Sequence, residues 1–371
     1  MYTHIVVGAG ILGASAAYHL AKAGAQVAIV DRQDLGRATR AAGGMICPWL
    51  SQRRNKAWYK LAKAGARYYP ELIRQLADAG ENVTSYKRVG AISLHTDAEK
   101  LDKLEKIART RLADAPEIGE ITRLSPAETK KLFPPLAEPY GSIHVSGAAR
   151  VNADALRRAL VRAARKCGAT VLQGDASLVR KGGRVTGVQV AGRMLPADQV
   201  ILTAGAWGKQ LLEPLGIHFR VSGQKAQIIH LQMPGADTGA WPVVLPPTDQ
   251  HILAFDHGRI VIGATHENDT GFDTRVTAGG VQEILAKALA VAPGLSNSTM
   301  LAARVGFRPY TPGFLPAIGR LPGYETVLLA NGIGASGLTV GPYLGVELAK
   351  LALGKPTEIS LGDYDIAGAL D

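Results

Sequence analysis

Cysteine is scarce in this 371-residue sequence, which contains only Cys47 and Cys167, far apart along the chain. This scarcity excludes a disulfide-stapled scaffold, and the spacing is unlike the paired cysteines of a structural metal site. Hydrophobic residues make up 47% of the chain and charged residues 20%, which excludes a disordered protein. We therefore expect a globular, cytoplasmic protein of one large or two moderate domains, without a metal centre.

Long apolar runs are also absent. No segment reaches the roughly 18 uninterrupted apolar residues that a membrane-spanning helix needs. The first residues, Thr3 to Gly8, have no basic leader ahead of an apolar stretch, so their hydrophobicity indicates a strand rather than a signal peptide. We expect no transmembrane segment, while a peripheral association with a membrane stays open.

Acidic residues are outnumbered by basic ones. Lys and Arg total 42 and Asp and Glu total 31, which gives a net charge of +11. This balance favours an anionic partner and leaves open a nucleotide, an acidic substrate, nucleic acid or a membrane surface. A helix predicted over 151–167 carries four arginines on its polar face: Arg157, Arg158, Arg162 and Arg165. No aromatic residues interleave them, so we interpret this face as solvated and expect no nucleic-acid partner.

The first 31 residues carry the most informative pattern. An apolar run, Ile5–Val7, leads into Gly8-Ala9-Gly10-Ile11-Leu12-Gly13, which fits G-x-G-x-x-G and opens a helix predicted over 14–23. A second apolar run, 27–30, ends at Asp31, where a carboxylate can hold ribose hydroxyls. Together these features predict a dinucleotide site; the alternative is a glycine-rich turn with a surface aspartate.

The rest of the chain alternates predicted helices and strands, with no internal repeat. Helices are predicted over 55–79, 151–167, 278–291 and 338–353. Strands are predicted over 170–173, 185–190, 200–203, 221–231, 251–263 and 327–330. The stretch 89–145 is typical of an inserted region of short strands and charged helices. This alternation predicts an α/β fold with two interleaved domains.

Short segments along nearly the whole chain resemble, in the same order, those of the FAD-dependent D-amino acid oxidase superfamily. This group includes glycine oxidase, sarcosine oxidase and D-amino acid dehydrogenase. The segments are Arg37–Met45, Val151–Asn152, Gly168–Val171, Val200–Trp207, Lys225–Gln227, Gly263–Thr265, Pro293–Leu295, Gly306–Pro309 and Ile318–Gly319. An ordered series is far more specific than any one match, and it favours FAD over NAD.

The resemblance implies a Rossmann-like FAD-binding domain interleaved with an α+β substrate domain that has a mixed or antiparallel sheet. The FAD-binding domain is expected to comprise residues 1–85, 146–215 and 305–371, and the substrate domain 86–145 and 216–304. FAD is expected at their boundary. It is expected to be noncovalent, because sarcosine oxidase attaches its flavin through a cysteine near the Arg308 region and none occurs there.

The predicted cofactor contacts come from the glycine turn and from the segments that resemble the family's flavin-lining ones. They are Gly8, Gly10, Gly13, Asp31, Arg32, Thr39, Arg40, Ala42, Gly43, Gly44, Met45, Ala176, Thr203, Ala204, Gly205, Trp207, Arg308, Gly332, Gly334, Ala335, Ser336, Gly337, Leu338 and Thr339. The turn 332–337 precedes the last helix, whose N-terminus is expected to face the electron-rich edge of a reduced flavin. The alternative is an ordinary glycine-rich turn between strand and helix.

Arg308 is the predicted substrate anchor. It lies among Val305, Gly306, Phe307 and Pro309, where an arginine needs an anionic partner. The resemblance implies that an arginine at this motif binds the substrate carboxylate. The alternative is an internal salt bridge with a protein carboxylate.

Three departures from the family pattern narrow these expectations. His251 stands where many members have an aromatic residue, and both a substrate contact and a structural role are open. The second substrate-facing arginine of glycine oxidase is replaced near Ala335, so one carboxylate anchor is expected instead of two. The usual Thr-Pro-Asp-Gly run reads Thr311–Phe314 here. Cys47 follows a flavin-lining segment and is interpreted as a small buried residue.

The resemblance implies oxidation of the C–N bond of a small amino acid, either a D-amino acid or glycine. In that scheme the neutral amine binds with its carboxylate on Arg308 and transfers its α-hydrogen as hydride to flavin N5. The imine then hydrolyses to a keto acid and ammonia, without a protein base. The alternatives are oxidation of a secondary amine such as sarcosine or D-proline, oxidation of a 2-hydroxy acid, a tRNA-modifying flavoprotein, or flavin binding without catalysis. The electron acceptor, oxygen or another, and a homo-oligomer stay open.

Overall fold

The computed structural model describes residues 1–371, which form nineteen β-strands and eight α-helices. The strands are β1 (Tyr2–Val7), β2 (Val27–Asp31), β3 (Met45–Ile46), β4 (Lys87–Arg88), β5 (Ala91–His95), β6 (Ile121–Leu124), β7 (Gly141–Val145), β8 (Ala149–Arg150), β9 (Thr170–Gln173), β10 (Ala176–Lys181), β11 (Arg184–Val190), β12 (Arg193–Leu202), β13 (Ser222–Gln232), β14 (Val243–Leu245), β15 (His251–Ala254), β16 (Arg259–Gly263), β17 (Thr299–Tyr310), β18 (Ala317–Leu321) and β19 (Tyr324–Asn331). The helices are α1 (Ile11–Lys22), α2 (Lys56–Asp78), α3 (Ala98–Leu112), α4 (Pro126–Leu132), α5 (Ala153–Lys166), α6 (Gly208–Leu212), α7 (Ala278–Val291) and α8 (Gly337–Ala352).

The first sheet has a parallel centre, in which β9, β2, β1, β12 and β19 lie side by side. Antiparallel strands β10, β11 and β18 complete it. Because its central strands are buried on both faces, they are continuous apolar runs: Val6 packs into one core, while Ile5 and Val7 pack into the other. The carboxyl ends of the parallel strands meet at one edge, which is where ligands bind in such sheets.

Helix α1 packs against α5 and α8 over this sheet. The approach of α1 to α8 is close, because the Ser15 hydroxyl donates a 2.6 Å hydrogen bond to the carbonyl of Pro342. A Cβ at Gly345 would lie 2.6 Å from the Cβ of Ser15, so only glycine fits there. The first and last helices of the chain therefore form one layer.

The second sheet has the order β17-β13-β16-β15-β14-β5-β7-β6. Its neighbours are antiparallel except for β14 and β5, which are parallel, so this sheet is mixed. The stretch predicted as strand over 251–263 is divided into β15 and β16 by a turn at His257 and Gly258, both with positive φ. The long strand β17, which carries Arg308, was missed by the sequence prediction.

A third sheet of only three short strands, β3, β8 and β4, joins residues 45–46 to residues 149–150 and 87–88. Beside it, the backbone N–H of Val151 donates a 2.9 Å hydrogen bond to the carbonyl of Gly44. This small sheet fixes the segment that contains Gly43, Gly44 and Met45.

The basic face of α5 is largely ion-paired. Arg157 and Arg158 contact Asp154, and Arg162 and Lys166 contact Glu81. These two carboxylates pair four of the five basic side chains of this helix, and Arg165 forms no salt bridge.

The predicted α/β class is confirmed: a Rossmann-like parallel sheet with helices lies beside a mixed sheet. The division into two domains at residues 86, 146, 216 and 305 stays a prediction. No helix combines the length and the apolar character needed to cross a membrane.

Candidate active site

A cavity of about 620 Å³ lies where the carboxyl edge of the first sheet meets the second sheet. Its lining includes the turns after β1, β2 and β12 and the start of α8 on one side. Residues of β13, β15, β16 and β17 line the other side. The two sheets thus share one concave site, the usual setting for a cofactor and its substrate.

The glycine turn after β1 forms one end of this cavity. Gly8 has a φ of +100°, and a Cβ there would lie 2.6 Å from the carbonyl oxygen of Thr203. At Gly10 the nearest atom to a built Cβ is Thr39 Oγ1, 3.7 Å away, so the backbone of Gly10 is open to the cavity. Helix α1 starts directly after Gly10, which has no side chain to cap it, while Thr39 Oγ1 accepts a 3.0 Å hydrogen bond from the N–H of Ile11. The positive end of the helix dipole and the backbone of Gly10 suit an anion such as a pyrophosphate.

The Asp31 carboxylate is oriented by the same turn. Its Oδ2 accepts a 2.6 Å hydrogen bond from the N–H of Ala9, and its Oδ1 accepts a 2.7 Å bond from the N–H of Gln33. Arg37 Nη1 lies 3.4 Å from Asp31 Oδ1. This holds the carboxylate at the cavity lining, where a ribose would lie beside a pyrophosphate on α1.

Arg32, next to Asp31 in sequence, is also compensated within the protein. Its Nε donates to Asp34 at 2.9 Å, and its Nη1 lies 3.3 Å from Asp175 and from Gln210. The charges at this end of the cavity, which we call the nucleotide end, are thus balanced by protein groups.

The middle of the cavity is lined by backbone and small side chains. Gly44 has a φ of +113°, and a Cβ there would lie 2.2 Å from the carbonyl oxygen of Val151. Opposite, α8 begins at Gly337 without a capping side chain, and Thr339 Oγ1 donates a 3.3 Å hydrogen bond to the carbonyl of Met45. The start of this helix therefore faces the flat segment around Met45.

The predicted site residues line this cavity, with three exceptions. Gly13 lies beneath the turn, where a Cβ would be 2.0 Å from the carbonyl oxygen of Gly8. Gly332 is covered by Thr311, and the Arg40 side chain is exposed outside the cavity. The residues that line it are Gly8, Gly10, Asp31, Arg32, Thr39, Ala42, Gly43, Gly44, Met45, Ala176, Thr203, Ala204, Gly205, Trp207, His251, Arg308, Gly334, Ala335, Ser336, Gly337, Leu338 and Thr339. A direct cofactor contact by the three exceptions stays a prediction.

Arg308 lines the cavity from the second sheet, in a part that we call the substrate end. Its Nη1 donates hydrogen bonds to Gln224 Oε1 at 3.1 Å and to the carbonyl of Thr265 at 3.2 Å. No Asp or Glu forms a salt bridge with Arg308, so the internal ion pair considered as the alternative is absent. Burial lowers the pKa of Arg308, but a guanidinium remains charged at neutral pH.

Two histidines stand beside this arginine. Burial and then the charges of Arg308 and His266 lower the pKa of His251 to about 4. His266 Nδ1 lies 3.4 Å from Asp249, whose other oxygen accepts a 2.9 Å hydrogen bond from Lys287. His251 is therefore neutral at physiological pH and adds no positive charge to the substrate end.

Sequence reasoning missed several polar residues of this site, among them Asp249, Gln224 and Arg53. Gln224 directly precedes the Lys225–Gln227 segment, and the antiparallel register of β13 and β17 places it opposite Arg308. Arg53 lines the cavity from a loop before α2 that has no periodic pattern. Cys47, by contrast, is buried as expected, and burial raises the pKa of its thiol to about 12.

These residues fit an FAD molecule. The open backbone at Gly10 and the N-terminus of α1 suit a pyrophosphate, and Asp31 suits a ribose. The segment at Gly44 and the start of α8 leave a cleft walled by backbone, which suits a flat ring.

Comparison with known proteins agrees with this geometry. Residues 4–351 match the family described as FAD dependent oxidoreductase. Over 371 residues and the full length of both chains, the sequence is 64% identical to a Bacillus subtilis protein named uncharacterized oxidoreductase YurR. It is 30% identical over 371 residues to a glycine oxidase of Pseudomonas aeruginosa, covering 99% of each chain.

A solved structure is also similar. The iminodiacetate oxidase IdaA of Chelativorans sp. BNC1 is 46% identical and superimposes with a TM-score of 0.95, covering 98% of each chain. The family match spans most of the sequence, and the relatives are similar along their whole length. The chain therefore belongs to the family of FAD-dependent oxidoreductases of the D-amino acid oxidase type.

Proposed function

We propose that this oxidoreductase oxidises the C–N bond of a small amine that bears a carboxylate, and that Arg308 binds this carboxylate. The observation that carries the proposal is a largely buried guanidinium that lines the cavity and has no carboxylate partner in the protein. An unpaired charge in such a place is costly unless a ligand compensates it.

The hydrogen bonds that Arg308 makes within the protein leave two of its nitrogens free to bind a carboxylate. Nη1 is occupied by Gln224 and Thr265, whereas Nε and Nη2 make no hydrogen bond within the protein. Those two nitrogens form the fork that binds a carboxylate in bidentate fashion. Gln224 is itself held by Asn268, because its Nε2 donates a 2.8 Å hydrogen bond to Asn268 Oδ1. Gln224 is therefore proposed as a positioning residue that fixes the direction of the fork.

When bound, FAD supplies a two-electron acceptor for the α-hydrogen of the amine. We propose that Gly8, Gly10 and Asp31 hold its nucleotide part, and that Gly44 and the start of α8 hold its ring. The residues of the chain then bind and orient the amine against that ring. We propose that the two predicted domains place the FAD-binding residues and the amine-binding residues on opposite walls of the cavity.

The carboxylate at the substrate end, Asp249, is paired with Lys287 and His266. His251 is neutral, so it neither repels a cation nor takes a proton strongly, and it is suited to a hydrogen bond with the substrate. The amine is therefore expected to bind as its neutral form, with its proton lost to solvent beforehand. After oxidation, water hydrolyses the imine to a keto acid and a free amine.

Among the substrate classes that the sequence leaves undecided, we favour a secondary amine of the N-substituted glycine type over a primary amino acid. The supporting observation is the similarity to an iminodiacetate oxidase, which at 46% identity is well above the 30% identity to a glycine oxidase. Glycine and D-amino acids remain the second candidate. The paired arginines of α5 give no support to the tRNA-modifying alternative.

The test is anaerobic reduction of the purified yellow protein, following the visible flavin band. Sarcosine, iminodiacetate, glycine, D-alanine, D-proline and a 2-hydroxy acid are added separately. We expect bleaching by the N-substituted glycines. Bleaching by the hydroxy acid alone, or by none of these compounds, would overturn the proposal. Peroxide formed on admitting air then shows whether oxygen is the acceptor.

A further inference from the structure

A second arginine reaches the cavity from the loop that precedes α2. The guanidinium of Arg53 lies over the ring of Trp58, 4.7 Å from its centroid, and lines the cavity. Its Nη2 lies 3.4 Å from the carbonyl oxygen of Phe314, whereas its Nε and Nη1 make no hydrogen bond within the protein. Arg53 thus presents free donors in the same cavity as Arg308.

The surface on which Arg53 rests is held firmly. Trp58 Nε1 donates a 2.8 Å hydrogen bond to Ser336 Oγ, and the N–H of Trp58 donates a 2.9 Å bond to the Asn55 side chain that caps α2. Stacking on a fixed indole limits the rotamers of the guanidinium. The orientation of Arg53 is therefore prepared before any ligand binds, which lowers the entropic cost of binding.

Arg53 differs from the arginines of the nucleotide end because it has no salt-bridge partner. Four arginines line the cavity, and Arg32 and Arg37 form salt bridges with aspartates. Arg308 and Arg53 form none within 4.0 Å. The two unpaired cations belong to the substrate end.

Tyr310 lies on the same face of β17 as Arg308. Tyr310 follows Arg308 by two positions on β17, and its phenol opposes the lowering of the pKa by burial at both Arg308 and Arg53. Tyr310 is fixed in turn by Phe314, with ring centroids 5.1 Å apart. Both arginines line the same cavity, so a ligand there that bears two carboxylates has a guanidinium partner for each of them.

We propose that Arg53 binds a second carboxylate, so that the preferred substrate is an amine carrying a carboxylate-bearing group on each side of its nitrogen. This inference rests on the proposed function, in which Arg308 binds the first carboxylate. It differs from the sequence-based expectation of one anchor, because the proposed second arginine comes from a different loop from the one near Ala335. A carboxylate matches the planar fork of a guanidinium better than a neutral amide does.

The experiment compares iminodiacetate with its monoamide, N-(carbamoylmethyl)glycine, which has the same size and one charge less. KM and kcat are measured for Arg53→Gln, Arg53→Lys and the control Arg54→Gln, an exposed neighbour outside the cavity lining. We expect Arg53→Gln to raise the KM for iminodiacetate about 10- to 100-fold with a smaller effect on kcat, and to remove the preference over the monoamide. Arg53→Lys should restore part of the preference, and Arg54→Gln should behave as the wild type.

The outcomes separate this inference from the proposed function. If the wild type oxidises sarcosine, iminodiacetate and the monoamide with equal KM, or if Arg53→Gln keeps the preference, the second anchor is wrong while the amine oxidation stands. If Arg53→Gln loses FAD, measured by the visible band after gel filtration, Arg53 is a cofactor contact instead and the inference is overturned. If no amine bleaches the wild type, the proposed function itself fails.

Discussion

The two ends of the cavity differ in how their charges are compensated. At the nucleotide end Asp31 is paired with Arg37 and with two backbone N–H groups, and Arg32 is paired with Asp34 and Asp175. At the substrate end Arg308 has only an amide and a carbonyl as partners. A charge that the protein satisfies itself maintains shape, whereas a charge left unpaired in a cavity is reserved for a ligand. The comparison predicts that mutations at the two ends affect different quantities.

The largest effect is expected from Gly8→Ala, which should break the nucleotide end. An added Cβ would lie 2.6 Å from a backbone carbonyl in a conformation that L-residues rarely adopt, so we expect a loss of stability of more than about 2 kcal/mol and loss of bound FAD. The measurement is FAD content after gel filtration together with the thermal midpoint.

Gly24→Ala is the matched control for this change. Gly24 also has a positive φ, +89°, but nothing lies within 4 Å of an added Cβ. It should cost only the backbone strain of about 1 kcal/mol and retain FAD. Equal losses of stability and of FAD in the two variants would mean that the cofactor site does not depend on the close approach of Gly8 to Thr203.

The next largest effect is expected from Arg308→Met, which should weaken substrate binding and leave FAD binding unchanged. Loss of a charge-assisted, bidentate contact should raise the KM for a carboxylate amine by about 100-fold or more, while FAD content stays at the wild-type level. Steady-state kinetics and the visible spectrum check this. Arg308→Lys keeps the charge but loses the planar fork, so its KM should lie between those of the wild type and Arg308→Met. An unchanged KM in Arg308→Met would mean that Arg308 does not bind the substrate.

The smallest effect concerns pH. His251 has a pKa of about 4 in the folded protein and about 6.5 when unfolded, so the unfolded chain binds the proton more readily. Its contribution to the free energy of unfolding is complete above pH 6.5 and is lost as the pH falls toward 4. Urea denaturation at pH 7 and pH 5 should therefore show a smaller loss of stability in His251→Gln than in the wild type. The loss should also be smaller in Arg308→Met, where a charge that lowers this pKa is gone; equal losses in all three proteins would contradict the assignment.

The two ends also differ in how far they could be predicted. At the nucleotide end, the glycine turn and Asp31 lie within one short stretch of strand, turn, helix and strand, so both could be identified from the sequence. The substrate end depends on register and on long-range packing. Gln224 comes to Arg308 only because β13 and β17 pair, and Arg53 comes from a loop whose position depends on Trp58 and Ser336. No periodicity in the sequence encodes such approaches.

The packing of α1 against α8 has a consequence for synthesis on the ribosome. The Ser15 hydroxyl on α1 is hydrogen-bonded to the carbonyl of Pro342 on α8, and β1 lies between β2 (Val27–Asp31) and β12 (Arg193–Leu202). The glycine turn and Asp31 therefore emerge long before the helix that completes their wall. A nascent chain can therefore hold the cofactor fully only after α8, which ends at Ala352, has left the exit tunnel.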